Sequence, residues 1–396
     1  MTAKQRETSF SERAGKYVKQ AKGYRAFVPA PLPPSPPIAM DAPLQKLLSQ
    51  ADRALGRLDG SISILPNPDM FVMMYVRKEA VLSSQIEGTQ SSLQDVLAAE
   101  ARVFTSSPSS DVSEVINYVH AMNHGLARLS ELPVSVRLIR EIHNKLLRGV
   151  RGAHLTPGEL RRSQNWIGPA GCTLREAAFV PPAPDHVPDA LSSLERFLHE
   201  EHATPMLLKI GLAHAQFETI HPFLDGNGRV GRLLITFLLT EAGVLQQPVL
   251  YLSHYFKRHR QAYYDHLQAV RDSGTWEAWL AFFLEGIAEV SKEAAETARR
   301  IILLREQHRT AVTERVGRSA ANAHKVLEKL FAHPIVTVAE VNEWTGTSYP
   351  AANQLVARLV ELGILRELTG QRRNRRFEYQ AYIDLFGERP DHETAR

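Results

Sequence analysis

Residues 221–239 read HPFLDGNGRVGRLLITFLL. The apolar run from Leu233 to Leu239 predicts a buried helix. Directly before that run, residues 221–232 place a histidine, an aspartate, a Gly-Asn-Gly turn and two arginines at the start of the helix. One capping residue is enough to begin a helix. The additional acid, base and cations therefore indicate a site with chemistry at this helix N-terminus.

The glycine turn and the helix start together predict an anion-binding site. Gly226 and Gly228 lack a Cβ atom, so the backbone can approach a ligand closely. The unpaired N–H groups and the positive dipole end of the helix face the same point. Arg229 and Arg232 lie three residues apart on one helix face, and guanidinium groups match phosphate oxygens. Cations are unfavourable at a helix N-terminus, so two of them indicate that an anion is expected there.

An acid and a base flank this anion site. A carboxylate beside phosphates, here Asp225, is the usual way to hold Mg²⁺. His221 titrates near neutrality and can take a proton from an attacking hydroxyl. The combination predicts phosphoryl or nucleotidyl transfer. A satisfied histidine, a plain turn and a solvated helix start would explain each residue singly, but not the whole set in this order.

The stretch HPFLDGNGRVGR also fits the signature of the Fic (Fido) family, H-P-F-x-[DE]-G-N-G-R-x-x-R, with no departure. The chain resembles this family further in FVPAPLPP, at 27–34, and in the segment from IGPAG to FVPPAP, at 167–184. The resemblance implies a helical core that transfers AMP from ATP to a protein hydroxyl. It also implies a short hairpin flap before the motif, where Phe179 and Val180 would add a strand of target peptide by main-chain hydrogen bonds.

The resemblance assigns roles to the motif residues. His221 would deprotonate a Ser, Thr or Tyr hydroxyl of the target, and Asp225 would hold Mg²⁺. The ATP-binding positions would be Gly226, Asn227 and Gly228 around the α- and β-phosphates, Arg229 at the β-phosphate, Arg232 at the γ-phosphate and Tyr263 at the base. For Tyr263 and its neighbour Tyr264, packing between helices is the alternative to stacking on the base.

A second motif, SSQIEG at 83–88, lies within a predicted helical region. Chemistry alone would describe it as a surface glutamate followed by a tolerated glycine. Many Fic proteins, however, carry an inhibitory helix with the pattern [ST]-x-x-x-E-[GN], which Ser83, Glu87 and Gly88 match. The resemblance implies that Glu87 forms a bidentate pair with Arg232. This pair would occupy the arginine that ATP needs and inhibit the enzyme in cis.

The C-terminal part of the chain predicts a winged helix-turn-helix. Three short helical patterns within 320–363 precede a two-strand wing that carries Arg372, Arg373, Arg375 and Arg376. Such a wing suits phosphate contacts. The predicted recognition helix, however, offers only Arg358 as a cation. DNA binding is therefore weakly supported, and dimerisation, target docking or self-modification are the alternatives for this domain.

These patterns give a mainly α fold class: a Fic-type helical bundle with a short β-hairpin flap, plus the C-terminal winged-helix domain. We expect three regions. Residues 1–110 would be an N-terminal Fic-associated region with a proline-rich arm at 24–38 and the inhibitory helix. Residues 111–312 would form the catalytic core, and residues 313–396 the winged-helix domain.

Composition sets broad limits on the protein class. The 396 residues are 44% hydrophobic and 23% charged, with a net charge of +4, which is ordinary for a globular protein. A single cysteine, Cys172, excludes a disulfide framework and a cysteine-based zinc site. No signal peptide and no membrane span are expected from the sequence. We therefore expect a cytoplasmic protein, and a homodimer by analogy with the family.

Three functions compete at this stage. The first is a protein adenylyltransferase that uses ATP and Mg²⁺, modifies a protein target and possible sites on itself, and is restrained by Glu87. The second keeps the fold but removes AMP, with Glu87 positioning a water, or transfers another nucleotide. The third is a nucleotide-sensing DNA-binding regulator, although a pure sensor would not need His221.

Overall fold

The structure, a computed structural model, describes residues 13–21, 23–63, 68–103, 108–169, 171–201, 203–371 and 373–387. Most of this length is helical, as the mainly α prediction requires, and the prediction is confirmed. None of the helices in these ranges combines the length and the apolar character that crossing a membrane would need. The helices are α1 (Ala42–Ser63), α2 (Pro68–Ile86), α3 (Leu93–Glu100), α4 (Ser110–Arg128), α5 (Val136–Leu146), α6 (Val187–His199), α7 (Met206–Ile220), α8 (Asn227–Glu241), α9 (Ser253–Arg258), α10 (Arg260–Ser273), α11 (Trp276–Arg315), α12 (Ala320–Leu330), α13 (Val338–Thr345), α14 (Tyr349–Glu361) and α15 (Gln380–Ile383).

The described strands form two small antiparallel sheets. In the first, β1 (Gly15–Lys19) pairs with β2 (Arg25–Pro29) as a hairpin, with Tyr17 opposite Phe27. In the second, β5 (Arg376–Glu378) lies between β3 (Ile335–Thr337) and β4 (Arg366–Glu367). Both sheets lie at the ends of the chain, so the centre of the molecule is built from helices.

Helices α7 and α8 form the centre of the hydrophobic core. Every residue from Leu207 to Ile220 in α7 is buried except Lys209, which is partly exposed. In α8, all residues from Arg229 to Leu239 are buried as well. A helix that is buried all round needs neighbours on every side, and α4, α5, α6, α10 and α11 supply them. The short loop between α7 and α8 therefore lies on a rigid base, and this loop carries the HPFLDGNGR motif.

The proline-rich arm packs on the helical core, as the sequence predicts. The Nε2 atom of Gln216 in α7 donates to the carbonyl of Ala30 over 2.8 Å. Arg13, before β1, forms an ion pair of 2.9 Å with Glu277 at the start of α11. The same carboxylate accepts the backbone N–H of Ala39 at 2.9 Å. The hairpin of β1 and β2 within and before this arm was not predicted.

The predicted flap is reduced to one bridged residue pair. Ile167 and Phe179 exchange two backbone hydrogen bonds, of 2.8 and 3.1 Å. The next carbonyl, that of Val180, accepts the N–H of Phe27 in β2 at 2.9 Å. The N-terminal hairpin thus lies beside the returning arm of the flap. Addition of a target strand here stays a prediction.

The C-terminal region has the predicted order of helices followed by a hairpin. Helices α12, α13 and α14 precede β4 and β5, and β3 adds a third strand that was not predicted. The capping box of Thr337 and Glu340 explains why α13 begins directly after β3. The winged-helix assignment itself stays a prediction.

Several cations predicted to face DNA are bonded within the chain. Arg358 donates to the carbonyl of Val316 at 2.8 Å. Arg375 donates to Asn353 at 2.6 Å, and Arg376 donates to the carbonyl of Arg102 at 3.1 Å. Arg373 is exposed, whereas Arg372 lies outside the described residues. This arrangement weakens the case for DNA binding further.

Candidate active site

The candidate site begins where α7 ends. His221 follows the last helical residue in the left-handed conformation, with φ 49° and ψ 61°, and its N–H donates to the carbonyl of Phe217 at 3.0 Å. A left-handed residue reverses the chain direction at a helix end, but it is costly for a residue with a Cβ atom. His221 therefore holds a conformation that the surrounding structure must enforce.

The surroundings keep the His221 imidazole neutral. Its Nδ1 atom is buried and has no hydrogen-bond partner within the described part of the chain. Burial, together with the nearby charges of Arg271 and Arg161, lowers the pKa of His221 to about 3. A neutral imidazole can accept a proton, which is the state that a general base needs.

Asn227 holds the loop in shape. Its Oδ1 accepts the N–H of Phe223 at 2.9 Å, and its Nδ2 donates to the carbonyl of the same residue at 2.8 Å. Gly226 precedes it with φ 76°, the left-handed region in which glycine carries no steric cost. The side chain of Asn227 is thus used inside the protein. Its backbone N–H, in the first turn of α8, is the part that can face a phosphate.

Gly228 leaves the first turn of α8 open on the side of Glu87. A Cβ atom at this position would stand 2.2 Å from Oε1 of Glu87 and 3.0 Å from Nη1 of Arg232. Such distances are not compatible with a side chain unless these groups move. The predicted cradle, the predicted γ-phosphate arginine and the predicted inhibitory glutamate therefore meet at one point.

Glu87 and Arg232 form the predicted ion pair, but not as a two-bond fork. The Nη2 atom of Arg232 lies 2.6 Å from Oε1 of Glu87. Its Nε atom donates to the hydroxyl of Ser83 at 2.8 Å, and Nη2 also donates to the carbonyl of Ser83 at 2.9 Å. The expected bidentate geometry is therefore replaced by a guanidinium divided between Ser83 and Glu87. The Arg232 side chain is 2% exposed and that of Glu87 is 31% exposed.

Glu87 lies just beyond a helix end and not in the middle of a helix. Helix α2 ends at Ile86, and Glu87 and Gly88 form a turn in which Gly88 has φ 97°. Burial alone would raise the pKa of Glu87, but the charge and hydrogen bond of Arg232 lower it on balance. The carboxylate is thus ionised at neutral pH. It is carried by a turn and not by the regular helix before it.

Arg229 is engaged with a residue that the sequence did not single out. Its side chain is 1% exposed, and Nη1 lies 2.9 Å from Oε2 of Glu114 in α4. Arg151 approaches the same carboxylate oxygen at 3.3 Å. Arg229 thus packs behind the loop with its charge balanced by Glu114. A direct contact with a phosphate stays a prediction.

Asp225 is the partly exposed acidic group of the loop. Its side chain is 34% exposed and lies 3.9 Å from Nη2 of Arg229. Its Oδ1 atom accepts the N–H of Gly226 at 2.6 Å, which orients the carboxylate at the start of α8. No group of three or more His, Cys, Asp or Glu side chains within the described ranges could hold a metal ion. A cation at Asp225 would therefore need further ligands from a bound phosphate group and from water.

Tyr263 packs inside the protein, and its ring is not available to the nucleotide base. It is 1% exposed, and its hydroxyl lies 2.8 Å from Nε2 of His214, whose Nδ1 faces the carbonyl of Gly231 at 2.9 Å. The structure thus favours the packing alternative for Tyr263. The neighbouring Tyr264 is partly exposed. The Cζ atom of Arg260 lies over its ring, 5.2 Å from the ring centroid of Tyr264. Tyr264 is the better candidate for contact with a base.

Two residues before the flap belong to the site but were missed. Arg161 donates from Nε to the carbonyl of His221 at 2.9 Å. Asn165 donates from Nδ2 to the same carbonyl at 3.1 Å and to that of Phe223 at 2.8 Å. A polar pair in the turn-rich segment LRRSQNWIG, at 160–168, was a signal for them. The sequence does not show, however, which backbone atoms Arg161 and Asn165 bind.

Two family models match the chain. The Fic/DOC family N-terminal model matches residues 45–127, which hold Glu87. The Fic/DOC family model matches residues 133–239, which hold the loop from His221 to Arg232. The ion pair described above therefore joins one matched region to the other.

Curated relatives and a solved structure agree with this match. A protein adenylyltransferase Fic of Drosophila ananassae is 32% identical over 166 residues, which cover 40% of this chain and 29% of the relative. Another from Aedes aegypti is 34% identical over 144 residues, covering 35% of this chain and 25% of the relative. The chain thus matches less than a third of the length of these relatives.

The fold has a counterpart in the solved structure of a Fic family protein from Desulfovibrio desulfuricans. The TM-score is 0.56 at 18% identity, covering 87% of this chain and 97% of the other. At this identity the likeness concerns the fold alone. The resemblance seen in the sequence is thereby confirmed: this chain carries a Fic/DOC family N-terminal domain followed by a Fic/DOC family domain.

Proposed function

We propose that the protein is an adenylyltransferase that transfers AMP from ATP to the hydroxyl of a Ser, Thr or Tyr side chain in a target protein. The observation that carries this proposal is the meeting of Gly228, Arg232 and Glu87 at the open start of α8, next to the loop that holds His221. The curated relatives that match the site are named protein adenylyltransferases. Their name supports the same reaction here.

The chemistry needs one base and one anion cradle. His221 takes the proton of the target hydroxyl, whose oxygen forms a bond to the α-phosphorus of ATP. The bond from that phosphorus to the oxygen bridging it to the β-phosphate breaks, and pyrophosphate leaves. The N–H groups of Asn227 and Gly228 and the guanidinium of Arg232 balance the phosphate charges. The neutral state of His221 in this structure supports its role as the base.

Asp225 suits a Mg²⁺ ion that arrives with the triphosphate. Its carboxylate is partly exposed, oriented by the N–H of Gly226, and next to the proposed phosphate cradle. Mg²⁺ commonly binds through one or two carboxylates together with substrate phosphates and water. The ion would neutralise part of the phosphate charge.

The pairing of Glu87 with Arg232 supports a restrained enzyme. Arg232 is nearly inaccessible and is engaged by Ser83 on one side and by Glu87 on the other. A γ-phosphate that binds this guanidinium must therefore displace Glu87. Gly88 follows Glu87 in a left-handed turn, which gives the segment a point about which it can move. We infer that inhibition acts in cis and is relieved when this turn moves away from α8.

The proposal is tested by transfer of label from α-labelled ATP in the presence of Mg²⁺. Three proteins are compared: the wild type, the Glu87→Gly variant, and a double variant that carries Glu87→Gly and His221→Ala. Each protein is assayed with and without a cell lysate. We expect strong labelling only for Glu87→Gly, either of the protein itself or of a lysate protein. If Glu87→Gly binds ATP but no variant transfers label, the adenylyltransferase proposal is rejected.

The same site offers a second candidate reaction, the removal of AMP from a modified protein. The observation in its favour is that the ionised carboxylate of Glu87 is 31% exposed at the mouth of the site, where it could orient a water. An AMP-modified substrate protein incubated with the wild type and with Glu87→Gly separates the two reactions. Release of AMP by the wild type alone would favour removal, or both activities in one site.

Several partner predictions remain part of this proposal. These are a homodimer and self-modification, and a cytoplasmic location is expected with them. Transfer of a nucleotide other than AMP stays an alternative to the proposed reaction. A DNA-binding regulator stays the weakest alternative, because most of the described arginines of the C-terminal hairpin are bonded within the chain. Labelling in the presence of competing nucleotides, followed by mass spectrometry of the product, decides the nucleotide and the modified residue.

A further inference from the structure

Four consecutive carbonyl groups around His221 accept hydrogen bonds from two residues before the flap, Arg161 and Asn165. Arg161 donates from Nη2 to the carbonyl of residue 220 at 3.4 Å, from Nε to that of His221 at 2.9 Å, and from its backbone N–H to that of residue 222 at 3.0 Å. Asn165 donates to the carbonyls of His221 and residue 223, at 3.1 and 2.8 Å. The backbone of the proposed base is therefore fixed from one side.

His221 needs this support because its backbone is strained. A φ of 49° places a residue with a Cβ atom in the left-handed region, where the Cβ atom crowds the backbone. Without its partners, the residue would relax toward the ordinary region and turn the imidazole away from its place. Arg161 is 3% exposed, so its hydrogen bonds to the loop face little competition from water.

The same guanidinium also holds the flap. The Nη2 atom of Arg161 donates to the carbonyl of Pro182 at 2.5 Å, on the arm that returns from Phe179 and Val180. Nearby, Gln164 donates to the carbonyl of Pro181 at 3.0 Å. One planar group thus sets the distance between the backbone of His221 and the strand where a target peptide is expected. A guanidinium presents donors in a rigid plane, which a lysine ammonium cannot reproduce.

We propose that Arg161 and Asn165 are positioning residues that hold His221 in its left-handed conformation and couple it to the flap. This inference rests on the proposed function, because it assigns His221 the role of base and the flap the role of target site. Neither residue needs to touch ATP or the target. Their contribution is to fix the position of His221 relative to the acceptor hydroxyl of the target.

The test uses the Glu87→Gly protein as its reference and adds Arg161→Lys or Asn165→Ala. Small misplacement of a base can lower a rate by about 10–100-fold. We expect a loss of this size in kcat, whereas the KM for ATP and the Kd for ATP change by less than about 2-fold. The matched control is Arg162→Lys. Its side chain is 89% exposed and lies 3.5 Å from Glu159, so this variant should keep the reference rate.

A double-mutant comparison separates positioning from general damage. If Arg161 acts through His221, then adding Arg161→Lys to a Glu87→Gly protein that also carries His221→Ala should cause no further loss of the residual rate. A further loss of the same size, or a parallel loss of ATP binding, would overturn the inference. An unchanged kcat in both Arg161→Lys and Asn165→Ala would also overturn it.

The inference can be decided even when the proposed function fails. If Glu87→Gly transfers no label, the crystal structure of Arg161→Lys gives the answer. A His221 that leaves the left-handed region would support the positioning role. A His221 that keeps a φ near 49° would reject it.

Discussion

Oε1 of Glu87 stands 2.2 Å from the point where a Cβ atom on residue 228 would lie, so Glu87 occupies the space that Gly228 leaves free. Gly228 lies in the first turn of α8 and is not among the left-handed glycines. Its lack of a side chain is therefore a matter of space and not of backbone conformation. The carboxylate of Glu87 fills the place in which the proposed function puts phosphate oxygens.

Gly228→Ala should weaken ATP binding even after Glu87 is removed. In the Glu87→Gly background the added methyl group would project into the proposed phosphate space. Overpacking by a methyl group costs about 1–3 kcal/mol, which corresponds to roughly 5-fold to 160-fold in the Kd for ATP. Titration calorimetry with ATP and Mg²⁺ measures the change.

The matched control for this change is Gly60→Ala in α1. A Cβ atom there would meet no neighbour within 4 Å, and the glycine is not left-handed. The control should bind ATP as the reference does. Equal affinity of the Gly228→Ala protein would mean that the triphosphate does not approach this helix start.

Glu79 and Glu218 should make stability depend on pH. Burial raises the pKa of each to about 7, although the charge of Arg232 opposes the rise. Their unfolded values lie near 4.3, so the folded state holds more protons between about pH 4.3 and 7. Stability from these groups is therefore present at low pH and is lost as the pH rises through their folded pKa.

The prediction is a smaller pH effect in Glu218→Gln. Because one pKa unit corresponds to about 1.4 kcal/mol, each group should cost the wild type roughly 1–3 kcal/mol between about pH 5 and 7.5. Urea unfolding at both pH values measures this difference in free energy. Glu361→Gln, at an exposed position of α14, is the control. A Glu218→Gln protein with the same pH dependence as the wild type would contradict the raised pKa.

The sequence predicts the site where its residues are close in the chain. His221, Asp225 and the Gly-Asn-Gly turn act through a single loop and helix start, so their spacing carries the geometry. The Glu87–Arg232 pair spans 145 positions, and only the family pattern around Ser83 made it predictable. The fold class follows in the same way from helical periodicity.

Other parts of the site depend on contacts that no spacing reveals. Arg161 binds the carbonyl of a residue 60 positions away, and backbone carbonyls leave no trace in the sequence. Glu114 lies on the buried face of α4, where it balances Arg229; a charged residue on an apolar face was a weak signal for this. Tyr263 was a candidate for contact with the nucleotide base because an aromatic ring can stack on a base, but tertiary packing buries this side chain.

Tyr263→Phe should lower stability without changing ATP affinity, whereas Tyr264→Ala should lower ATP affinity with little change in stability. Loss of the Tyr263 hydroxyl leaves a ring nitrogen of His214 without its partner, which costs about 1–3 kcal/mol of folding stability. ATP affinity should stay unchanged. Tyr264→Ala should lower ATP affinity with little change in stability, because this ring is partly exposed. Thermal unfolding and ATP titration in the Glu87→Gly background measure both quantities, and a loss of affinity in Tyr263→Phe would restore Tyr263 as the base-contacting residue.

Transfer of AMP should be almost independent of pH on the acid side. His221 must be unprotonated to act as the base, so activity is lost only as the pH falls through its pKa. An ordinary histidine would lose half of the rate at about pH 6.5. Here burial, together with the charges of Arg271 and Arg161, lowers the pKa to about 3, although the charge of Glu87 opposes the shift. In the Glu87→Gly protein we therefore expect kcat to vary by less than about 2-fold between about pH 8 and 6.

Changing Arg271 tests the electrostatic part of this account. Arg271 is buried, donates to the carbonyl of Glu218 at 3.2 Å and lies 4.0 Å from the ring centroid of Phe179. Arg271→Gln removes a cation that disfavours protonation of His221, so the acid limb of the kcat profile should move to higher pH. Arg271→Lys keeps the charge and should leave the limb in place, even if the rate falls. All variants are compared at saturating ATP, so that the site is equally occupied in each. An acid limb that stays in place in Arg271→Gln would show that burial alone keeps His221 neutral, and a limb centred near pH 6.5 in the Glu87→Gly protein would show that the base is a solvated group.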